Sequence, residues 1–176
     1  MLNYSNTITD EKSYSGLQMK EINPVMKLII RGKKREFLSA IGKSLNLLLP
    51  TEANTSSRSE KFSALWLSPD EWMIYSNEPV DENTNNYETE ELLNNNISKL
   101  NLGAITDVTD QFVMINLKGN KIYELFQRGS PFNFNNFQNK KGATTQTILG
   151  KIDIIVHNHD KNAVNLFVRR SFSEHL

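Results

Sequence analysis

The sequence predicts an α+β domain. Three observations carry this. Short β-branched and apolar runs alternate with two amphipathic helical stretches in the order strand, helix, strand, strand, helix, strand; the residues from 112 to 118 show a clean two-residue alternation; and the last third reads as three consecutive strands. That order is the ferredoxin-like β-α-β-β-α-β arrangement, here extended by a further helix and antiparallel strands.

Residues 1–20 lack apolar periodicity and are expected to form a flexible N-terminal arm, with 21–176 as a single domain in which order begins near Pro24. The run MKLIIR, Met26 to Arg31, is closed by Gly32 and predicts the first strand. Phe37, Leu38, Ile41, Leu45, Leu48 and Leu49 follow at helical spacing up to Pro50, which predicts an amphipathic helix over that span. A polar loop is expected over 51–61. SALWLSPDEWMIYS, residues 63–76, predicts two strands pinched around Pro69, with Ser68 and Asp70 placed to bond the local backbone. Ser68 and Glu71 also fit a helix capping box, but Trp72 to Tyr75 has strand composition.

After a soft linker, Leu93, Ile97 and Leu100 put an apolar face on a second helix between Tyr87 and Leu102, ended by Gly103. Phe112 to Lys118 is the next strand, with Val113, Ile115 and Leu117 on one face. Gly119 and Asn120 open a third helix striped by Ile122, Leu125 and Phe126, which breaks at Gly129 and Pro131. An asparagine-rich loop then carries Phe132, Phe134 and Phe137; three exposed phenylalanines would be a liability, so they are expected to pin the loop to the core or to a partner. Strands are predicted at 145–149, 152–157 and 164–169, the last two joined by turn residues 158–162.

Composition excludes several function classes. Twenty basic and twenty acidic side chains cancel, which argues against a nucleic-acid footprint or a polybasic membrane surface, since both need clustered positive charge. No cysteine is present, which removes disulfides, thiolate metal sites and cysteine nucleophiles and fits a reducing cytoplasm. The polar start MLNYSNTITDEKSYSG has no apolar signal-peptide region, and no stretch approaches eighteen apolar residues. Asparagine clusters at 83–86, 94–96 and 133–136, a compositional habit with no assigned role.

The search for chemistry returns little. TQTILGK, residues 145–151, ends like a phosphate loop, but Thr145 stands where the first glycine belongs and Ile152 where Ser or Thr belongs, and a strand follows. His157 and His159 share a strand face without a third spaced ligand, and His175 lies at the chain end. Asp70, Glu71, Asp107 and Asp110 are explained by turns and strand ends; no serine sits in a nucleophile elbow, and there is no dinucleotide fingerprint. No catalytic residue and no metal ligand is therefore assigned. Arg169 and Arg170 are the best anion-site candidates, because they precede a helix start capped by Ser171 with Glu174. Phe132, Phe134, Phe137 and Phe172 are the interface candidates.

Several blocks, taken in order, resemble one known family. KEINPVMKLIIRG, TEANT, ALWLSPDEWMIYS, TDVTDQFVMINLKGNKIYELFQRGSPFNF, TTQTILGKIDIIVH and LFVRRSFSEHL are similar to the gamma subunit of heterotetrameric sarcosine oxidase over about residues 20–176. LWLSPDEW, QTILGK and VRRSFSEHL carry the resemblance most specifically. This chain has Ser130 where that family commonly has cysteine, and the family usually continues past Leu176 with aromatic residues. The resemblance implies an accessory, noncatalytic subunit, similar in fold to the folate-binding domain of glycine cleavage T-protein-like proteins. Its partners would be the alpha, beta and delta subunits of a cytoplasmic oxidoreductase. That assembly demethylates sarcosine to glycine, passes the one-carbon unit to tetrahydrofolate and produces hydrogen peroxide, with FAD, FMN, NAD and folate held by the other subunits. Two alternatives stay open: a stand-alone folate or anion binder using Arg169 and Arg170, and a gamma subunit of a related complex that oxidises dimethylglycine or N-methylglutamate.

Overall fold

A computed structural model describes residues 6–8, 11–80 and 87–176; the asparagines expected in the linker at 83–86 lie outside these. The protein is α+β, with two antiparallel sheets and few helices. It divides into two compact units, Val25–Thr109 and Asp110–Leu176, the latter joined by the N-terminal segment through Pro24. The sequence predicts one domain from residue 21; the division arises because each sheet gathers its own apolar cluster.

In the Val25–Thr109 unit, Lys27–Arg31 (β1) forms the centre of a five-stranded sheet. Helix α1, Arg35–Leu45, buries Phe37, Ile41 and Leu45 at four-residue spacing. It stops short of Pro50, because Asn46 takes the left-handed conformation at φ 49° and ends the helix. Leu47 and Leu49 still enter the core, while Leu48 points outward. Within the expected polar loop, Ser56–Arg58 (β2) forms a short edge strand. Phe62–Ser68 (β3) and Glu71–Ser76 (β4) make the hairpin around Pro69. Helix α2, Glu88–Leu93, runs into a π-helical turn, Asn94–Ser98. Ala104–Asp107 (β5) then returns to pair with β1, giving the order β2-β3-β4-β1-β5. The sequence puts Phe112 to Lys118 in that closing position; β5 takes it instead. With one half-buried apolar residue, Ile105, β5 shows no alternation that would reveal it.

The second unit is built on a six-stranded sheet. Lys12–Tyr14 (β6) and Leu17–Glu21 (β7) lead into it, so this stretch is paired strand rather than arm. Only Leu17 and Met19 face the core there, too few to give a periodic signal. Phe112–Lys118 (β8) is central, flanked by β7 and by Ala163–Arg169 (β11). Beyond β11 come Ile152–Asp160 (β10) and Thr144–Leu149 (β9), giving the order β6-β7-β8-β11-β10-β9. Strand β10 runs through Asn158 and bulges before Asp160, so the expected five-residue turn shrinks to Lys161 and Asn162. Helix α3, Ile122–Gly129, covers one face and buries Ile122, Tyr123 and Phe126. Strand β8 leads into that helix through Gly119, whose φ of 131° suits glycine and where a Cβ would lie 2.1 Å from the Gly16 carbonyl.

Strands β9 and β10 meet at TQTILGK. Gly150 and Lys151 both have positive φ, 57° and 72°, the pattern of a two-residue primed hairpin turn. The stretch is thus a strand end and a turn, and Lys151 belongs to the turn rather than to the following strand. No helix among the described residues is long and apolar enough to cross a membrane.

Candidate functional site

The loop after α3 is an aromatic cluster folded inward. Phe134 is fully buried and stacks on Phe126 at 4.8 Å between ring centres. Phe132 and Phe137 meet it edge-on at 4.8 and 5.4 Å. Burial of a phenylalanine is worth about 1.5–3 kcal/mol, so the loop is anchored by its own side chains. Of the interface candidates, Phe134 and Phe137 are core residues that offer nothing to a partner. Phe132 and Phe172 keep 36% and 47% of their surface exposed, and only these two remain available.

Asn158 secures the same loop from the sheet. Its side-chain amide is buried and donates to the carbonyls of Phe137 at 2.9 Å and Lys140 at 3.0 Å, while its backbone exchanges bonds with Gly142 and Ala143. In the sequence it looks like one turn asparagine among many, so no signal there distinguishes it. Tyr123 borders the aromatic cluster, 6.2 Å from the rings of both Phe126 and Phe134. Its hydroxyl is buried without a hydrogen-bond partner among the described residues, and burial pushes its pKa up to about 12.

The arginine pair is drawn to the start of β8. The Arg169 guanidinium lies 5.9 Å from the ring centre of Phe112, its register partner. Arg170 donates from its backbone N–H to the Gln111 carbonyl at 2.9 Å and from Nε to the Asp110 carbonyl at 3.0 Å. The helix expected behind them is a six-residue 3₁₀ segment, Arg170–His175, with no side-chain cap. Ser171 and Glu174 therefore form no capping box. Ser173 is buried instead, 2.7 Å from the Arg170 carbonyl and 2.8 Å from the Thr7 hydroxyl. Thr7 and Ile8 in turn give both backbone N–H groups to one oxygen of the buried Glu21, at 2.9 Å each.

The remaining titratable groups that the structure describes are placed as follows. His157 is buried and His159 half-buried, with rings 6.1 Å apart. Among the described residues, no three His, Asp or Glu side chains gather as a metal site requires. Asp70 accepts the Ser68 hydroxyl at 2.9 Å and faces Lys33 at 3.6 Å and Arg31 at 3.9 Å. The Ser68 hydrogen bond first, and these cations next, hold its carboxyl below the usual range. Lys27 is buried in β1 and donates from Nζ to the Val25 carbonyl at 2.8 Å, a placement that its position in an apolar run did not announce.

One concavity stands out beside α3. It is an open concavity of about 260 Å³ between sheet residues such as Ile115, Leu117 and Leu166, the helix residue Leu125, and Leu149 of the β9–β10 hairpin. Arg128 and the C-terminal residues His175 and Leu176 complete its lining. Two of the three stretches that carry the family resemblance, QTILGK and VRRSFSEHL, thus send residues to one place.

The comparisons with known proteins decide the affiliation. The model of the sarcosine oxidase, gamma subunit family matches residues 32–176. The chain belongs to this family. Among solved structures it is similar to a chain of the heterotetrameric sarcosine oxidase from Corynebacterium sp. U-96 in complex with pyrrole 2-carboxylate, with a TM-score of 0.80 at 17% identity over 94% of this chain and 82% of that one. At that identity the likeness establishes the fold. No curated protein sequence matches. The family assignment covers both units and includes the hairpin around Pro69, the aromatic loop and the C-terminal segment.

Proposed function

We propose that this chain is the accessory gamma subunit of a heterotetrameric sarcosine oxidase, assembled with alpha, beta and delta subunits in the cytoplasm. The family match over residues 32–176 carries this reading. In the assembly, sarcosine is oxidatively demethylated to glycine, the one-carbon unit passes to tetrahydrofolate, and oxygen is reduced to hydrogen peroxide. FAD, FMN, NAD and tetrahydrofolate are held by the other subunits, and this chain contributes structure. Phe132 and Phe172 are the aromatic contacts offered to a partner.

The same reading extends to fold ancestry. The order β3-β4-β1-β5 with α1 and α2 between strands supports a ferredoxin-like arrangement for the Val25–Thr109 unit. It also fits kinship with the folate-binding domains of T-protein-like proteins. Co-expression of the four chains, with and without this one, tests the function. Sarcosine-dependent peroxide formation should persist only in the four-chain preparation, or decay faster when this chain is omitted. Full activity and full stability of the three remaining chains would remove the subunit role.

A further inference from the structure

Protein interiors are packed like organic crystals, with few voids larger than a water molecule. The 260 Å³ concavity beside α3 is open to solvent on one side, so packing does not demand an occupant, but its walls specify which ligand would suit it. Apart from two glycines, Arg128 and His175, its lining is made of aliphatic or thioether side chains, among them Met19, Leu125, Leu149 and Leu166. Water gains few hydrogen bonds against such walls, and dry apolar cavities of roughly 150 Å³ already admit benzene. By proportion, 260 Å³ suits an apolar body of about eight to ten carbons.

The polar side chains on the lining are Arg128, whose guanidinium only donates, and His175, whose ring can donate from one nitrogen. Glu124 takes Nη2 of Arg128 at 2.6 Å, and a guanidinium has five N–H donors in a fork suited to carboxylates. Arg128 is 77% exposed in its side chain, so it can turn toward a ligand at the opening. Two lining glycines are tied together by the backbone: Gly150 N–H donates to the Gly129 carbonyl at 2.9 Å. A Cβ at Gly129 would come within 2.6 Å of Leu149 Cδ1 and shift that wall.

We infer that this pocket binds a small apolar monocarboxylate, with the hydrocarbon against Leu149 and Leu166 and the carboxylate on Arg128. This is independent of the subunit role, so the two can fail separately. Octanoate is the probe. Titrated into the full chain carrying ¹³C-labelled leucine methyls, it should give saturable shifts at Leu125, Leu149 and Leu166. The exposed substitution Arg128→Gln leaves the fold in place and should weaken octanoate roughly tenfold, while leaving the affinity for 1-octanol unchanged. Absence of saturable shifts at those methyls overturns the inference, as does octanoate affinity unaltered by Arg128→Gln.

Discussion

The backbone N–H of Gly150 donates to the carbonyl of Gly129 at 2.9 Å, fastening the β9–β10 turn to the end of α3. A stretch with the outline of a broken phosphate loop is thus a structural clasp. Its geometry depends on two consecutive residues at positive φ, of which only the first is glycine. A left-handed conformation costs an L-residue roughly 1–2 kcal/mol. Gly150→Ala, which meets no atom within 4 Å, should therefore lower stability by about 1 kcal/mol through backbone strain alone. Lys151→Gly should be neutral or stabilising. Urea denaturation of the two variants checks both signs.

Tyr123 should be replaceable at a profit. Its buried hydroxyl lacks a partner among the described residues, so Tyr123→Phe removes a desolvated polar group and is expected to raise stability by about 1 kcal/mol. The alkaline behaviour follows from its pKa of about 12 against an ordinary 10. With the folded value raised, the unfolded chain gives up the proton first. The Tyr123 contribution is then intact below pH 10 and is lost as pH rises from 10 toward 12. Stability curves at neutral and alkaline pH should show a shallower alkaline decline in Tyr123→Phe than in the parent protein.

Asn158→Ala should be costly. It removes a side-chain donor shared by the Phe137, Gln138 and Lys140 carbonyls and leaves a gap in a buried site. The Phe137 and Lys140 carbonyls keep backbone donors from Lys140 and Ala143, so the loss is of net hydrogen bonds at about 0.5–1.5 kcal/mol each, and a decrease of about 2 kcal/mol is expected. Amide hydrogen exchange should rise at residues 137–143 before the rest of the sheet. Uniform exchange across both regions would contradict the pinning role.

Asp70 should titrate below 3.8, because the Ser68 hydroxyl and then Lys33 and Arg31 favour its charged form. A depressed folded value gives stability that is present above the unfolded pKa and lost as pH falls through the folded one. The effect is confined to pH below about 4. Carboxyl-carbon NMR titration should place Asp70 low, and Ser68→Ala should move it upward. An unmoved value in that variant would show that the cations alone set it.

Much of this architecture is legible in the sequence, and its gaps have physical causes. The hairpin around Pro69, the strand at 112–118 and α3 all announce themselves through alternation or helical spacing. Alternation, however, says which face of a strand is apolar and not which sheet it joins. Strand β8 thus reads correctly as a strand and incorrectly as the closing strand of the first sheet, a place taken by the nearly featureless β5. Asn46 ends α1 early by adopting a left-handed conformation, four residues before the Pro50 that the helical spacing points to. At the site, the aromatic loop is visible as a feature, but its inward packing uses the ring of Phe126 and the amide of Asn158, which lies 21 residues beyond Phe137. The pocket is less legible still, since its walls come from β7, β8, α3, β9, β11 and the C-terminal segment.

The most direct test is native mass spectrometry of the intact assembly purified through a tag on this chain. One copy of this chain should be found with one copy each of the alpha, beta and delta subunits, in a fraction that oxidises sarcosine. Recovery of this chain only as a free monomer, with the sarcosine-oxidising activity in an assembly that lacks it, would contradict the assignment.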